Sequence, residues 1–300
     1  MPQSIVRVAV VQAAPVAFDR DCTLTKVRQL TRDAASRSAR LVVFPEAFVS
    51  AYPRGMTFGA VVGSRSAEGR EWYRRYWESS VDVPGDAVDI LADIARESAT
   101  HLVIGVIERD GGSLYCTALF FAPNGDYLGK HRKLVPTASE RLVWGQGDGR
   151  GLETVDIGAA RVGGLICWEN MMPLARFALY ERGVELYLAP TADDSEEWHY
   201  SIRHIAREAR AFVVSSCSFQ RASSYPPDVP LADGAELLGR GGSAIVAPDG
   251  SYLAGPLWDE EGILYADLDP GVLHAARQRF DPAGHYHRPD VFSLDVTPHS

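Results

Sequence analysis

Three residue types suited to acyl transfer stand at the ends of apolar runs in this 300-residue chain. Glu46 follows Leu41-Val42-Val43-Phe44, Lys133 lies in His131-Arg132-Lys133-Leu134, and Cys167 closes Arg161-Val162-Gly163-Gly164-Leu165-Ile166. A thiol is only a few per cent ionised at neutral pH, so it needs a base or a cation beside it to become an efficient nucleophile. A carboxylate can take its proton, and a fixed ammonium can hold the negative charge that develops on an attacked nitrogen or oxygen. Each residue also has an ordinary explanation. Free cysteines are usually buried as small hydrophobes, a lysine in a basic trio is usually a solvated charge, and a glutamate after a strand is often a helix cap. Spacing alone leaves both readings of each residue open.

The elements that would position them follow from the apolar pattern. Residues 5–11 form a nearly continuous β-branched run, which predicts a strand covered on both faces. Asp21-Cys22-Thr23 can cap a helix in which Leu24, Val27, Leu30 and Ala34 recur at helical spacing, and residues 41–44 supply the next strand. Strand, helix, strand is a βαβ unit. Glu46 then lies just beyond the carboxyl end of its second strand, where open α/β folds generally place ligands. Cys167 precedes Pro173, which suits the first turn of a helix that Gly183 would end. At such a strand-to-helix turn, backbone N–H groups and the positive end of a helix favour a thiolate.

Residues 49–83 read as a loop plus a short helix carrying Trp72, Tyr73, Tyr76 and Trp77, either a lid over the site or a satellite core. A helix starting at Pro84-Gly85-Asp86 carries Val88, Leu91, Ala92 and Ala95 on one face. Strand-like runs follow at 101–108, 115–121 and 127–131, and Gly111-Gly112 and Asn124-Gly125 between them predict antiparallel hairpins. Further strands are expected at 186–189, 211–215 and 243–247. Helices are expected on the stripe Leu174, Phe177 and Ala178, on Trp198, Ile202, Ile205, Ala206 and Ala209, and after Asp269-Pro270 on Val272, Leu273 and Ala276. Residues 221–239 read as a loop, and with no interdomain linker visible the chain reads as one domain, 1–300. Two internal echoes point to a layered sandwich of related sheets: Ala122-Pro123-Asn124-Gly125 with Ala247-Pro248-Asp249-Gly250, and Phe44-Pro45-Glu46-Ala47 with Ala189-Pro190-Thr191-Ala192.

Composition narrows the function classes. At 46% hydrophobic and 23% charged residues the chain matches a soluble globular protein, and its net charge of -9 argues against nucleic acid or an anionic membrane as partner. No apolar run approaches the roughly 20 residues of a membrane span, and the start of the chain lacks the features of a signal peptide, so a cytoplasmic location is the expectation. The four cysteines, Cys22, Cys116, Cys167 and Cys217, are scattered and are expected to be free thiols, at most one of them chemical. The eight histidines form no metal signature, and no G-x-G-x-x-G follows the first strand, which disfavours a Rossmann-type nucleotide enzyme.

Phe44-Pro45-Glu46-Ala47-Phe48, His131-Arg132-Lys133-Leu134-Val135-Pro136-Thr137 and Gly164-Leu165-Ile166-Cys167-Trp168-Glu169-Asn170, in that order, resemble the nitrilase (carbon–nitrogen hydrolase) superfamily. Similar segments extend over most of the chain, including Tyr52-Pro53-Arg54-Gly55, Glu140-Arg141-Leu142-Val143-Trp144-Gly145, His204-Ile205-Ala206-Arg207-Glu208 and His285-Tyr286-His287-Arg288-Pro289-Asp290. Cys-Trp-Glu-Asn resembles the nitrile-hydrolysing branch, whereas amidase-like branches more often carry a tyrosine and aspartate after the cysteine. The resemblance implies an α/β fold, a four-layer αββα sandwich, with Cys167 as nucleophile, Glu46 as general base and Lys133 as stabiliser of the intermediates. Glu140 matches a second glutamate near the cysteine that positions substrate or water, and the backbone N–H of Trp168 is a candidate partner to Lys133. Glu169 could serve only as a cap. Tyr52, Trp144 and Trp168 are candidate pocket walls, with core packing as the alternative for each.

The implied substrate is a small nitrile, hydrolysed to the acid and ammonia with no metal or organic cofactor. Which nitrile is open: aliphatic, aryl, arylacetonitrile or cyanide itself. An amidase of the same superfamily is the nearest rival, and a non-catalytic scaffold the remoter one. The resemblance also implies a homodimer or higher homo-oligomer, with residues 197–210 and the helix after Pro173 as contact surfaces, although their apolar stripes could equally be intramolecular core. The chain ends soon after Val291-Phe292-Ser293-Leu294, short of the tail that such members use in assembly, which counts against a filament.

Overall fold

Alternation along the strands decides which layer each side chain enters. In the strand Val6–Gln12, Val8 and Val10 face one side while Ala9 and Val11 face the other; in Leu41–Val43, Leu41 and Val43 join the first pair and Val42 the second. Strands apolar on both faces must be covered on both, and the computed structural model, which describes residues 5–231 and 235–298, shows how. One sheet runs, in spatial order, Gly262–Leu268, Val6–Gln12, Leu41–Val43, His101–Asp110, Ser113–Phe121 and Tyr127–Arg132, with Val81–Asp82 beside His101–Asp110. The other runs Phe219–Arg221, Leu237–Val246, Phe212–Ser215, Leu186–Leu188, Arg161–Gly164 and Val155–Asp156, with Tyr252–Trp258 beside Leu237–Val246.

Between the sheets lie Val8, Val10, Leu41 and Val43 from the first and Val162, Leu186, Leu188, Val214 and Ile245 from the second. Outside the first sheet, Leu24 and Val27 of helix α1 (Arg20–Ser36) and Leu91 and Ile94 of the helix Asp86–Ser98 pack on Ala9, Val11 and Val42. Outside the second, Leu179 of the helix Pro173–Glu181 and Trp198, Ile202 and Ile205 of the helix Glu196–Ala209 pack on Tyr187, Val213 and Val246. The order helix, sheet, sheet, helix is the expected αββα sandwich.

Both echoes correspond to structure. The turns at 122–126 and 247–251 share one hydrogen-bond pattern, Ala122 N–H to Asp126 O with Gly125 N–H to Ala122 O, and Ala247 N–H to Ser251 O with Gly250 N–H to Ala247 O. Gly125 and Gly250 take nearly the same left-handed φ, 87° and 88°. The strands Leu41–Val43 and Leu186–Leu188 each lie between two parallel neighbours.

Some boundaries differ from expectation. Helix α1 begins at Arg20, because the carboxylate of Asp19, not that of Asp21, accepts the N–H of Cys22. Residues 49–83 contain a small hairpin, Ala60–Val61 with Ser64–Arg65, before the helix Ala67–Glu78. That helix divides its aromatics: Trp72 and Tyr76 are buried, Tyr73 and Trp77 only partly so. In Pro173–Glu181 the buried stripe is Ala175, Ala178 and Leu179 while Leu174 is exposed, and in Gly271–Arg279 Leu273 is buried while Val272 is exposed. The whole apolar stripe of Glu196–Ala209 is intramolecular core. Of the expected loop at 221–239, Leu237 already opens a strand, and Asp233 and Gly234 lie outside the described residues, as do residues 1–4. Among the described residues no helix is long and apolar enough to cross a membrane.

Candidate active site

Each central strand runs out at a proline, which removes a backbone donor and lets the chain leave the ladder. After Pro45, Glu46 turns inward, and the crossing is tight. A Cβ on Gly105 of the neighbouring strand would stand 2.3 Å from Pro45 O and 2.5 Å from Glu46 Cα, so only glycine fits. Glu46 is fully buried. Its Oε1 accepts the N–H of Ala192 at 2.6 Å, and its Oε2 accepts from Lys133 Nζ at 3.2 Å and from the Cys116 thiol at 3.5 Å.

Lys133 stands just past the strand Tyr127–Arg132, its N–H bonded to the carbonyl of Cys116. The buried ammonium donates to Glu140 Oε2 at 2.8 Å and faces the Trp144 ring at 5.7 Å. Glu140 also accepts the N–H of Thr137 at 2.6 Å, as part of the cap of the short turn Ala138–Leu142, and the Tyr52 hydroxyl at 2.8 Å. Tyr52 in turn meets Trp144 edge to face at 5.6 Å.

Cys167 comes from the second sheet. A Cβ on Gly164 would lie 2.0 Å from Leu188 O, so the strand Arg161–Gly164 can approach its neighbour this closely only with glycine there. Cys167 itself has φ of 53°, a left-handed conformation that is costly for a side chain and that turns it at the strand tip. Its N–H donates to Pro190 O at 2.8 Å, and its sulfur accepts the Thr191 hydroxyl at 3.2 Å. Consecutive residues of one chain segment hold the two groups, the Thr191 hydroxyl the Cys167 sulfur and the Ala192 N–H the Glu46 carboxylate, so the Glu46 charge acts on the thiol.

Two of the three residues after Cys167 brace this turn. Glu169, buried, accepts the N–H of Ile166 at 2.7 Å with one oxygen and the N–H of Leu134 with the other, and both oxygens contact His131 Nε2. It therefore caps its own turn and also ties the chain beside Cys167 to the chain beside Lys133. Asn170 donates to the carbonyls of Leu165 and Cys167 and accepts the Tyr187 hydroxyl. Trp168 stands apart from the charged cluster, 52% exposed, its indole N–H on Asp193 Oδ2 at 2.8 Å.

Electrostatics follow from this burial. Burial pushes the Glu46 carboxyl above its ordinary value, with the Lys133 charge pulling against it and Glu140 adding to it. Burial and then the Glu46 charge push the Cys167 thiol up, while Lys133 and the Thr191 hydrogen bond oppose them. For Lys133 burial works against the charge, but Glu46, Cys167, Cys116 and Glu140 around it outweigh that and hold it well above the ordinary ammonium value. Burial thus holds the thiol proton on sulfur and makes Glu46 a stronger base than an ordinary carboxylate, beside an ammonium that keeps its charge.

Glu46, Lys133, Glu140 and Cys167 are brought together, Tyr52 and Trp144 join them through Glu140 and Lys133, and Trp168 stays at the rim. A cavity of about 290 Å³ lined by Tyr52, Arg54, Glu140, Val143 and Trp144 opens beside the cluster. A larger one of about 670 Å³, lined by Phe58, Tyr73, Trp77 and Arg70, meets this region only at Leu142 and touches none of Glu46, Lys133, Glu140 and Cys167, so the chemistry belongs with the smaller cavity. Cys116, Thr191 and the Ala192 N–H were not anticipated as site groups. The echo of Phe44-Pro45-Glu46-Ala47 in Ala189-Pro190-Thr191-Ala192 was the available signal, since both segments end at the same place.

The sequence pattern described as Carbon-nitrogen hydrolase matches residues 7–278. Nitrilase 2 of Arabidopsis thaliana is 48% identical over 304 residues, covering 99% of this chain and 90% of that protein. A bifunctional nitrilase/nitrile hydratase of Nicotiana tabacum is 49% identical, covering 98% and 87%, and an aliphatic nitrilase of Sinorhizobium fredii (strain HH103) is 49% identical, covering 97% and 95%. Among solved structures, a carbon-nitrogen hydrolase from Helicobacter pylori G27 superposes with a TM-score of 0.76 at 21% identity, covering 97% of each chain. An amidase from Nesterenkonia sp. gives 0.69 at 23% identity, covering 93% of this chain and 96% of that one. At those identities the two structures bear on the fold alone.

Proposed function

The chain belongs to the carbon–nitrogen hydrolase family, and on that premise we propose that it is a nitrilase, converting a small organic nitrile to the carboxylic acid and ammonia. The observation that carries this reading is the buried cluster in which Glu46 accepts the Lys133 ammonium and the Ala192 N–H while the adjacent Thr191 hydroxyl holds the Cys167 sulfur. The near full-length identity of 47–49% to proteins named nitrilases supports the nitrile over the amide.

In this mechanism Glu46 takes the thiol proton as the sulfur bonds to the nitrile carbon. A π pair of the nitrile moves to nitrogen, which takes the thiol's proton back from Glu46, giving a thioimidate and leaving Glu46 ionised. Water, losing a proton to Glu46, adds to the same carbon, and Lys133, with the backbone N–H of Trp168, holds the charge on the tetrahedral species. Nitrogen takes that proton from Glu46, the C–N bond breaks as an oxygen pair forms the carbonyl, and ammonia departs; a second water, again losing a proton to Glu46, adds to the thioester, and the C–S bond breaks to release the acid as Glu46 returns the proton to sulfur. If the C–S bond of the tetrahedral species breaks first, the product is the amide. Glu140 fixes Lys133 and the Tyr52 side of the cavity, and Tyr52 and Trp144 border the substrate, with Trp168 at the rim.

The reading extends to the whole chain as one catalytic domain, 1–300. We place it in the cytoplasm, supported by four free cysteines, which suit a reducing compartment. We take it to assemble as a homodimer or higher homo-oligomer, supported by the exposed apolar Leu174 and Tyr200 on two adjacent outer helices. The decisive assay measures ammonia from a panel of nitriles and their matching amides. Turnover of nitriles by the parent, lost in a folded Cys167→Ala protein, is expected; release from amides alone would make the chain an amidase.

A further inference from the structure

Thr191 is a neighbour of the Cys167 sulfur that the scheme above leaves unused. It is fully buried at the end of the second sheet's central strand, its Oγ1 3.2 Å from Cys167 Sγ. The same Oγ1 accepts the backbone N–H of Asp193 at 2.9 Å. A hydroxyl has one proton and two lone pairs, so accepting from Asp193 leaves the proton free to point at the sulfur. Its main chain is pinned on both sides, Thr191 N–H to Ser216 O and Ser218 N–H to Thr191 O, each at 2.9 Å, and its branched side chain has few rotamers. The donor is therefore aimed at the sulfur before any substrate arrives, the condition under which a hydrogen bond to a developing charge acts without reorganisation.

We propose that Thr191 is a further catalytic residue, whose hydroxyl donates to the Cys167 sulfur whenever that sulfur carries negative charge. That occurs twice. In the attack, Glu46 removes the thiol proton and the sulfur pair forms the C–S bond. In the departure, the C–S bond of the tetrahedral species breaks and its pair returns to sulfur. The second half rests on the nitrile reading: the tetrahedral carbon there bears oxygen, nitrogen and sulfur, and it either loses ammonia to give the thioester or loses the thiolate to give the amide. A donor that stabilises negative sulfur favours thiolate loss, so Thr191 both speeds capture of the nitrile and raises the amide share of the product.

The test compares the parent with Thr191→Val, which keeps the shape and removes the donor, and Thr191→Ser, which keeps the donor. Alkylation of Cys167 by iodoacetamide at pH 8, followed on its peptide by mass spectrometry, needs no substrate. Thr191→Val should react about ten-fold or more slowly than the parent, and Thr191→Ser within about three-fold, the range expected for a hydrogen bond to a charged group. With a nitrile that gives both products, Thr191→Val should release a smaller share of amide. A folded Thr191→Val protein alkylated at the parent rate would overturn the proposal. Should Thr191→Val not fold, Thr191→Ser decides alone, since loss of reactivity with its hydroxyl in place would equally overturn it. A parent that releases no ammonia from any nitrile, with the alkylation difference intact, would overturn the nitrile reading and its amide share while upholding the action of the hydroxyl on sulfur.

Discussion

Glu169→Gln is nearly isosteric, yet the structure makes it costly. The carboxylate satisfies two backbone donors at once, Ile166 N–H and Leu134 N–H, while both oxygens lie against His131. An amide keeps one acceptor oxygen and turns an NH₂ toward the other N–H. One buried N–H is then unpaired, at about 1–3 kcal/mol, and the other loses the extra strength of a charged acceptor, about 1 kcal/mol more. The loss should be about 2–4 kcal/mol. With about 2.1 cal/mol/K of unfolding entropy per residue, a chain of 300 residues loses roughly 3–6 °C in melting temperature for that change. Because Ile166 adjoins Cys167 and Leu134 adjoins Lys133, kcat should fall by about ten-fold or more even at temperatures where the variant is fully folded. Differential scanning calorimetry and steady-state kinetics on the same preparation check both numbers. A variant that melts within 1 °C of the parent and turns over at its rate would refute the assignment of Glu169 as the brace between the two sheets.

Gly105→Ala should abolish turnover by pushing Pro45 and Glu46 outward from a Cβ that has no room, whereas Gly112→Ala, with nothing within 4 Å, should leave both folding and turnover unchanged; equal activity of the two would sink the packing argument. The acid limb of kcat/KM should reflect Glu46. Its carboxyl is raised, the base must be ionised, and so activity is lost as pH falls through a midpoint above the ordinary 4.5; a midpoint at or below that value would contradict it. Tyr52→Phe removes the hydroxyl that donates to Glu140 at 2.8 Å and should lower kcat by about ten-fold, the cost of one hydrogen bond to a charged acceptor; a kcat within two-fold of the parent would show that Glu140 is held without it.

What could be read from the sequence was local. Glu46, Lys133 and Cys167 each terminate an apolar run, so the pattern that reveals the strands also reveals their tips. The alternation of Val8 and Val10 against Ala9 and Val11 is a property of neighbours in the chain, and so is the shared turn chemistry of Asn124-Gly125 and Asp249-Gly250. The contacts that escaped depend on which strand lies beside which. Cys116 is an unremarkable strand residue until the hairpin carries it to Glu46, and Thr191 becomes a donor to sulfur only because Leu186–Leu188 pairs with Arg161–Gly164. Glu169 reads as a cap because its bond to Ile166 spans three residues, while its bond to Leu134 spans 35. Trp168, expected as a pocket wall from its place beside Cys167, follows a left-handed residue and stands at the rim, more than half exposed, with its indole N–H on Asp193. No sequence pattern announces a positive φ at a cysteine.

Base and cation ride on one sheet and the sulfur on the other, so the gap between Glu46 and Cys167 is set by what fills the space between the sheets. Leu41, Val43, Leu186 and Leu188, none of them a polar participant, act as the spacers of a gauge whose reading is a reaction rate. Trimming one of them lets the two plates slide or close by a fraction of an ångström. The chemistry would register that displacement well before the fold gave way, which makes turnover a sensitive measure of mechanical fit across the middle of the molecule.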